Sequence, residues 1–250
     1  MDDDEILSCI LDMGEALLTS GAEVMRVEDT IMRLCRVYGF ASCDVFTITS
    51  SIVLTAHTSG GQVLTQTRRI RRRDTDLGRV ERVNALSRSL CEAPVPPTQL
   101  RAQVAQLRAT VQYPLWVRFI MYAVISAAFS LFFGGCMGDA FSAAVSGMVL
   151  FLSLRACEHM HLNDILLNMM CSALAALTVA GLVALGVGQS ADKIIIGNIM
   201  LLIPGIALTT SLRDMINGDM IAGLLGMCEA VLKALAIAIG CAAVLLQMGG

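Results

Sequence analysis

The sequence predicts a polytopic α-helical membrane protein with about five transmembrane helices and an N-terminal cytosolic α+β domain. Charge is the first observation: 13 basic and 14 acidic residues precede Tyr113, whereas only 5 and 7 follow it. The second observation is that the apolar runs after Tyr113 are long enough to cross a bilayer, which needs about 20 residues. We therefore predict an α+β domain at residues 1–112 and a transmembrane domain of five helices, the fourth of them broken, at 113–250.

Helices and a small sheet are predicted for the first domain. Apolar residues recur at three- and four-residue spacing over residues 6–38, and a Ser-Gly pair divides this stretch into two helices. Short runs of β-branched residues over 43–70 predict two or three antiparallel strands. Helical periodicity returns over about 76–91, and another amphipathic helix follows the PVPP segment and ends near Thr110.

The apolar runs after Tyr113 predict five membrane-spanning helices. They lie near 115–134, 139–157, 165–187, 194–212 and 220–246. If the first domain is cytoplasmic, the inner loops hold Arg155 and Arg213, whereas the outer loops hold only Lys193, as the positive-inside rule requires. The chain opens with acidic residues rather than a signal peptide. We expect a multi-pass protein of the cytoplasmic (inner) membrane with its N-terminal domain in the cytoplasm.

Composition and motifs argue against several function classes. The net charge of −3 is too small to indicate a nucleic-acid partner, and the arginine cluster at 68–73 lacks interleaved aromatic residues. Nine cysteines show neither CxxC nor Cys/His spacing, so we predict no disulfide and no metal site. No hydrolase, zinc-protease or phosphate-loop motif is present. We therefore predict no enzyme activity and no cofactor. In and just after GAEVMRVEDT, residues 21–30, we interpret Arg26, Glu28, Asp29 and Arg33 as helix-surface ion pairs, with a regulatory ligand site as the alternative.

A membrane span is interrupted by Pro204 and Gly205 within NIMLLIPGIALTTSLRD, residues 198–214. Proline removes a helical hydrogen bond and collides with the preceding turn, and glycine relaxes the backbone further. Non-helical backbone at membrane depth is stable only where protein buries it or a water-filled cavity bathes it. Discontinuous helices of this kind form the substrate sites of many secondary transporters. Together with Asn198, these residues predict a substrate or proton pathway, with a simple proline kink as the alternative.

The last predicted span contains an acid and a base four residues apart, Glu229 and Lys233. This spacing places them on one helix face. A charge near the bilayer centre costs about 2.5–3.5 kcal/mol on insertion scales. Either the two neutralise each other as a structural pair, or they face a watery pathway. In the pathway hypothesis Glu229 carries the proton, and the substrate carboxylate meets Lys233 or the backbone N–H groups near Pro204 and Gly205.

Charged residues at the inner ends of the spans predict a gate of salt bridges that opens and closes during transport. They are Arg155, Glu158, Asp164, Arg213, Asp214 and Asp219. The alternative is that they are ordinary charged helix ends in contact with water. The residues by themselves leave both interpretations open.

Three stretches resemble the threonine/serine exporter family, in its N-terminal half. They are SGAEVMRVEDTIMRLCRVYGF at 20–40, LGRVERVNALSRSL at 77–90, and GNIMLLIPGIALTTSLRDMINGDMIAGL at 197–224, which runs on into EAVLKALAIAIG at 229–240. The resemblance implies an exporter of small metabolites in the cytoplasmic membrane, driven by the proton motive force. Threonine and serine are the archetypal substrates, and similar two-component members are associated with succinate. One departure is LGMCEA at 225–230, where the family pattern RxxEA implies a basic residue.

The resemblance also implies a partner. In fused members a second, shorter hydrophobic half follows in the same polypeptide, whereas this sequence ends at Gly250 after five predicted spans. It therefore resembles the split form, and the expected partners are a small amino acid or dicarboxylate, the lipid bilayer and a separate small membrane subunit. A homo-oligomer is the alternative to that subunit. Two other functions stay open: a channel, whose flux ignores a proton gradient, and a membrane-anchored sensor or scaffold.

Overall fold

The chain is predominantly helical. The computed structural model describes residues 3–107, 113–157 and 163–248. Within these residues lie ten α-helices and three β-strands. In chain order they are α1 Asp3–Thr19, α2 Val24–Val37, β1 Ser42–Ile48, β2 Ser51–His57, β3 Val63–Arg69, α3 Leu77–Glu92, α4 Pro97–Leu107, α5 Leu115–Phe132, α6 Met137–Cys157, α7 Asp164–Ala184, α8 Ala191–Leu202, α9 Gly205–Ile216 and α10 Met220–Met248.

Two compact units make up the structure, and each draws on two stretches of chain. The first unit comprises the described residues of Met1–Val111 together with Gly205–Cys228. The second unit comprises those of Gln112–Pro204 together with Glu229–Gly250. Helix α9 and the beginning of α10 therefore belong with the N-terminal helices and strands. The sequence predicts that the residues after 112 lie in the membrane and those before it do not. The two compact units do not test that division, so it stays a prediction.

A three-stranded antiparallel sheet and helices α1–α4 form most of the first unit. The strand order is β1-β2-β3, and Leu54 at the centre of β2 pairs with Val45 on one side and Gln66 on the other. Alternate residues of β2 point into the core, so Ile52, Leu54 and Ala56 are buried. The sheet side chains pack against the apolar faces of α1 and α2, whose three- and four-residue spacing places those residues on one side of each helix.

Small residues hold the helices of the second unit close together. An ideal Cβ on Gly147 of α6 would lie 2.4 Å from Ser126 Oγ of α5, and one on Gly240 of α10 would lie 2.2 Å from the Met169 carbonyl oxygen of α7. No larger side chain fits at either contact. Such close approach is typical of membrane helices, which associate mainly through packing and interhelical hydrogen bonds.

Four helices among the described residues are long and apolar enough to cross a membrane. They are Leu115–Phe132, Met137–Cys157, Asp164–Ala184 and Met220–Leu246. The pair Ala191–Leu202 and Gly205–Ile216 reaches that length only together, and it bends by 56° at the break. The count is therefore four, or five if the bent pair is one span. These helices confirm the polytopic helical fold, and the bent pair coincides with the predicted fourth span.

Candidate functional site

The helix break lies at Ile203 and Pro204. Ile203 N–H makes the last helical bond of α8, to the Ile199 carbonyl at 3.0 Å, and Ile203 then turns extended, with φ −61° and ψ 125°. Proline causes this turn because its ring excludes the preceding residue from helical angles and it has no N–H to donate. The final carbonyls of α8 and the first N–H groups of α9 therefore lack intrahelical partners. Pro204 is half-buried and Gly205 is exposed.

Asn198 links α8 to α5 inside the second unit. Its side chain is buried, its Oδ1 accepts a hydrogen bond from Ser126 Oγ at 3.1 Å, and its Nδ2 donates to the Ile194 carbonyl at 3.0 Å. The neighbouring Gly197 allows this contact, because an ideal Cβ there would lie 2.5 Å from the Ser126 carbonyl oxygen. One donor hydrogen of the Asn198 amide stays available. Asn198 therefore has a structural role and retains capacity for a further hydrogen bond.

A small cavity lies beside Asn198, between α7, α8 and α10. Its walls include Ser172, Asn198, Leu202 and Cys241, and the others are apolar residues of α7 and α8. Its volume of about 10 Å³ is close to the minimum for one water molecule. Leu202 is the last residue of α8. The cavity therefore reaches the helix break, but in this structure it is closed to anything as large as an amino acid.

Glu229, Lys233 and Asp164 form a charged triad in the second unit. Lys233 Nζ donates to Glu229 Oε1 at 2.8 Å and lies 3.8 Å from Asp164 Oδ2. The Glu229 side chain is 50% exposed, Asp164 41% and Lys233 21%. The structure thus brings the predicted proton-pathway pair together with one residue of the predicted gate.

Lys233 lies level with the beginning of α7. It approaches Asp164, the first residue of α7, while Gly240 contacts Met169, so α7 and α10 run in the same direction. Sequence length alone puts Lys233 at the middle of the span Met220–Leu246. Its contacts place it instead near one end of the α7–α10 pair. A long lysine side chain near a span end can extend its charge to the interface, which reduces the insertion cost.

The charged triad and the cavity are near neighbours along α7. Ser172, which lines the cavity, follows Asp164 by eight residues, or about 12 Å of helix. Charged groups at the end of the helices therefore lie about two turns of α7 from an internal cavity next to the helix break. This arrangement can attract an ionised small molecule and then shelter it from lipid.

The predicted gate residues are divided between the two units. Arg155 and Asp164 belong to the second unit, Arg213, Asp214 and Asp219 belong to the first, and Glu158 lies outside the described residues. Arg213 forms a salt bridge with Glu23, and Asp214 Oδ1 accepts a hydrogen bond from the Val24 N–H at 3.0 Å. Two of the six therefore bind the beginning of α2. The gate itself stays a prediction.

The sequence did not predict that Glu23 contacts α9 or that Glu28 contacts the sheet. The interpretation of helix-surface ion pairs holds for Arg33 and Asp29, whose side chains meet at 2.9 Å and are well exposed. Glu28 instead faces the sheet, where its Oε1 accepts a hydrogen bond from the Thr47 N–H at 2.8 Å. A signal was available, because Glu28 lies four residues after Val24 and three before Ile31, on the buried side of α2.

The surroundings of Glu28 raise the pKa of its carboxyl. Burial raises the pKa of the Glu28 carboxyl, the hydrogen bond from Thr47 opposes that effect, and the carboxylate of Asp219 raises it further, so the net shift is upward. Folded Glu28 therefore holds its proton to a higher pH than unfolded Glu28. Its contribution to stability is complete below the ordinary pKa of 4.5 and is lost as pH rises through the raised value.

Replacing Glu28 by Gln should flatten part of the pH dependence of stability. Glutamine can still accept the Thr47 hydrogen bond but cannot ionise, so the variant gains stability relative to the natural protein as pH rises from 4.5 to neutrality. The measurement is the unfolding temperature in detergent across that range. Asp29→Asn on the same helix is the control and should show no such trend. Parallel curves for Glu28→Gln and the natural protein would contradict the assignment.

Asp139 is a buried carboxylate of the second unit, and it has a structural role. Its oxygens accept hydrogen bonds from the backbone N–H groups of Cys136 at 2.9 Å, Gln189 at 2.7 Å and Ser190 at 3.0 Å. These bonds tie the turn between α7 and α8 to the first turn of α6. As for metals, no group of three or more His, Cys, Asp or Glu side chains in the described part of the chain could hold an ion.

Comparison with known proteins identifies the family. The family model described as "Putative threonine/serine exporter" (ThrE) matches residues 8–248. A "Probable threonine/serine exporter" of Mycobacterium tuberculosis is 24% identical over 238 residues, which are 94% of this chain and 45% of that protein. The "Probable succinate transporter subunit YjjP" of Escherichia coli is 28% identical over 231 residues, 91% of this chain and 88% of that protein.

These matches cover almost the entire chain. The chain spans less than half of the mycobacterial relative and most of the E. coli relative. No solved structure matches it. Because the family model extends over nearly all of the sequence, including the broken helix and the Glu229–Lys233 pair, the chain belongs to the threonine/serine exporter family.

Proposed function

We propose that this chain is a subunit of a proton-coupled secondary exporter of small carboxylate metabolites, with threonine and serine as its substrates. Membership of the exporter family and the four or five apolar helices support a transport role without covalent chemistry. The name of the mycobacterial relative supports the choice of substrate. We place the protein in the inner membrane, with its α+β domain in the cytoplasm, because its basic loop residues favour that orientation.

The observation that carries the proposal is the charged triad next to the cavity that reaches the helix break. The ammonium of Lys233 is the only cation in this group, so it is the natural partner for a substrate carboxylate. Asn198 and the backbone groups at the break are the polar groups that separation of these helices would present to the substrate. Since the cavity now has room for about one water at most, the helices must separate before threonine enters.

Proton coupling follows from competition for Glu229. In the resting pair Glu229 holds Lys233 at 2.8 Å. When threonine or serine binds, its carboxylate meets Lys233 and its ammonium meets the ionised Glu229. A proton on Glu229 cancels the charge that holds this ammonium, so proton and substrate occupy the site in turn, as export driven by an inward proton gradient requires. Asp164, 3.8 Å away, keeps the Lys233 ammonium at this end of the helices throughout.

A partner subunit completes the pathway in this proposal. Half of the Glu229 side-chain surface is exposed in the single chain, and the neighbouring apolar residues Val231 and Leu232 of α10 are exposed as well. A second membrane protein beside α10 would cover this surface. The E. coli relative is named a transporter subunit, which agrees with a two-protein assembly, and a homo-oligomer would serve the same purpose.

Flux from reconstituted vesicles tests the function. The chain, with and without a small companion membrane protein from the same genome, is placed in vesicles loaded with labelled threonine, serine or succinate. We expect a pH gradient to accelerate threonine and serine efflux and a protonophore to remove that acceleration. Flux that ignores the gradient indicates a channel, and no flux of any substrate contradicts the export function.

Succinate is the second candidate substrate. The E. coli relative that this chain matches over 88% of its length is named a succinate transporter subunit. The missing basic residue in LGMCEA also separates this chain from the pattern that the exporter resemblance implies. Gradient-dependent succinate flux without threonine or serine flux would establish the dicarboxylate alternative.

A further inference from the structure

Helix α9 and the beginning of α10 are fastened to the α+β elements of the first unit by a few specific contacts. Asp214 of α9 is 4% exposed, and its Oδ1 accepts the hydrogen bond of the Val24 N–H at 3.0 Å. Arg213 forms its salt bridge with Glu23. On α10, an ideal Cβ at Gly226 would lie 3.9 Å from Thr49 Cγ2, in the turn between β1 and β2.

The contact at Val24 replaces a missing helix cap. Val24 is the first residue of α2, and its N–H is one of the four that an α-helix leaves without an internal partner. The residue before it, Glu23, makes no side-chain cap and binds Arg213 instead. Asp214, 190 residues away in sequence, supplies the acceptor and places a negative charge at the positive end of α2. Arg213 and Asp214 of α9 thus bind Glu23 and Val24 at the beginning of α2. We call these two contacts the clamp.

The anchorage of α9 depends on these polar contacts. Among the twelve residues of α9, the buried ones are Ser211 and Asp214, while Ile206, Leu212 and Ile216 are exposed. Ser211 packs on α10, since an ideal Cβ at Gly226 would lie 2.3 Å from its Oγ. No extensive apolar face of α9 therefore fixes it to α2. A buried carboxylate is costly without partners, so its position here requires the Val24 bond.

We propose that the α+β domain is a lever for the broken helix, and that Asp214 is the positioning residue that makes α9 move together with α2. This inference rests on the proposed transport function, because it assigns the soluble domain a task in the transport cycle. The break at Ile203 and Pro204 is the hinge: α8 ends there, and α9 begins in the unit that contains α2. Opening of the cavity next to Leu202 then displaces α9 and the domain as one body.

Hydrogen exchange measured by mass spectrometry tests the clamp in vesicles. Asp214→Ala should accelerate exchange at the beginning of α2 about tenfold or more, because the Val24 N–H loses a charged acceptor. Asp214→Asn keeps an oxygen acceptor and should show a smaller change. Asp29→Ala, which breaks only the surface pair with Arg33 on the same helix, is the matched control and should leave this peptide unchanged. Unchanged exchange in Asp214→Ala would overturn the clamp.

Dependence on substrate separates a lever from a purely structural contact. In the natural protein, adding threonine (or succinate, if that is the substrate transported) should change exchange at the beginning of α2. That response should disappear in Asp214→Ala and persist in Asp29→Ala. No response in the natural protein, or an equal response in Asp214→Ala, would overturn the lever.

Reversing the charges of the Glu23–Arg213 salt bridge tests the proposal even if Asp214→Ala fails to fold. Glu23→Arg should slow substrate flux by making two cations face each other, and the double variant Glu23→Arg with Arg213→Glu should restore at least half of it. A double variant as slow as the single one would contradict the lever. Absence of flux in the natural protein would instead refute the transport function, while the exchange results would still report on the clamp.

Discussion

Replacing Glu229 by Gln should abolish the dependence of flux on the pH gradient. Glutamine keeps the shape of the side chain and can still accept a hydrogen bond from Lys233, but it cannot exchange a proton. We expect the acceleration produced by the gradient to disappear, because a proton gradient can act on flux only through a group that binds and releases a proton. Slow downhill flux should persist, because Lys233 is still present. The measurement is substrate efflux with and without an imposed gradient.

Asp192→Asn is the control for Glu229→Gln. Asp192 is an exposed acid in the first turn of α8, in the same unit as Glu229, and it should retain the full gradient dependence. If Glu229→Gln responds to the gradient as the natural protein does, Glu229 is not the proton carrier. If both variants lose the response, the loss is not specific to the pair with Lys233, and the competition mechanism fails.

Gly240→Ala should separate α7 from α10 and destabilise the second unit. An ideal Cβ at Gly240 would lie 2.2 Å from both the Met169 carbonyl oxygen and Ser172 Oγ, and backbone cannot move aside as a flexible side chain can. Overpacking of this kind costs about 1–3 kcal/mol, and sometimes more. We expect a lower unfolding temperature in detergent and reduced flux, because Ser172 and Cys241 line the cavity at this contact.

Gly181→Ala on α7 is the matched control for that substitution. An added Cβ at Gly181 meets nothing within 4 Å, and alanine is the better helix former by roughly 0.5–1 kcal/mol. Its unfolding temperature should equal or exceed that of the natural protein. Equal unfolding temperatures for the two variants would show that α7 and α10 are not in close contact at Gly240.

The membrane helices and the helix break could be predicted from sequence because both depend on local properties. The length of an apolar run determines whether a helix can cross a bilayer, and proline in a helix interior kinks or breaks the helix. The pairing of Glu229 with Lys233 was likewise local, since residues four apart share a helix face. The three short strands followed from β-branched runs separated by turn residues.

Contacts between distant parts of the chain could not be predicted. Asp214 meets Val24 only because folding brings together residues 190 positions apart, and a single sequence contains no signal for that contact. The contact between Lys233 and Asp164 could not be predicted for the same reason. Hydropathy gives the length of α10 but not its offset against α7, so the sequence could not show that Lys233 lies beside Asp164, the first residue of α7.

Substrate protection of Cys241 tests the location of the transport pathway most directly. Cys241 lines the cavity between α7, α8 and α10, whereas Cys91 is exposed on α3 of the first unit. Vesicles under a pH gradient are treated with a small membrane-permeant thiol reagent, and modification of each cysteine is followed by mass spectrometry. We expect saturating substrate to slow modification of Cys241 several-fold and to leave Cys91 unchanged. Equal rates at Cys241 with and without transported substrate would contradict a pathway through this cavity.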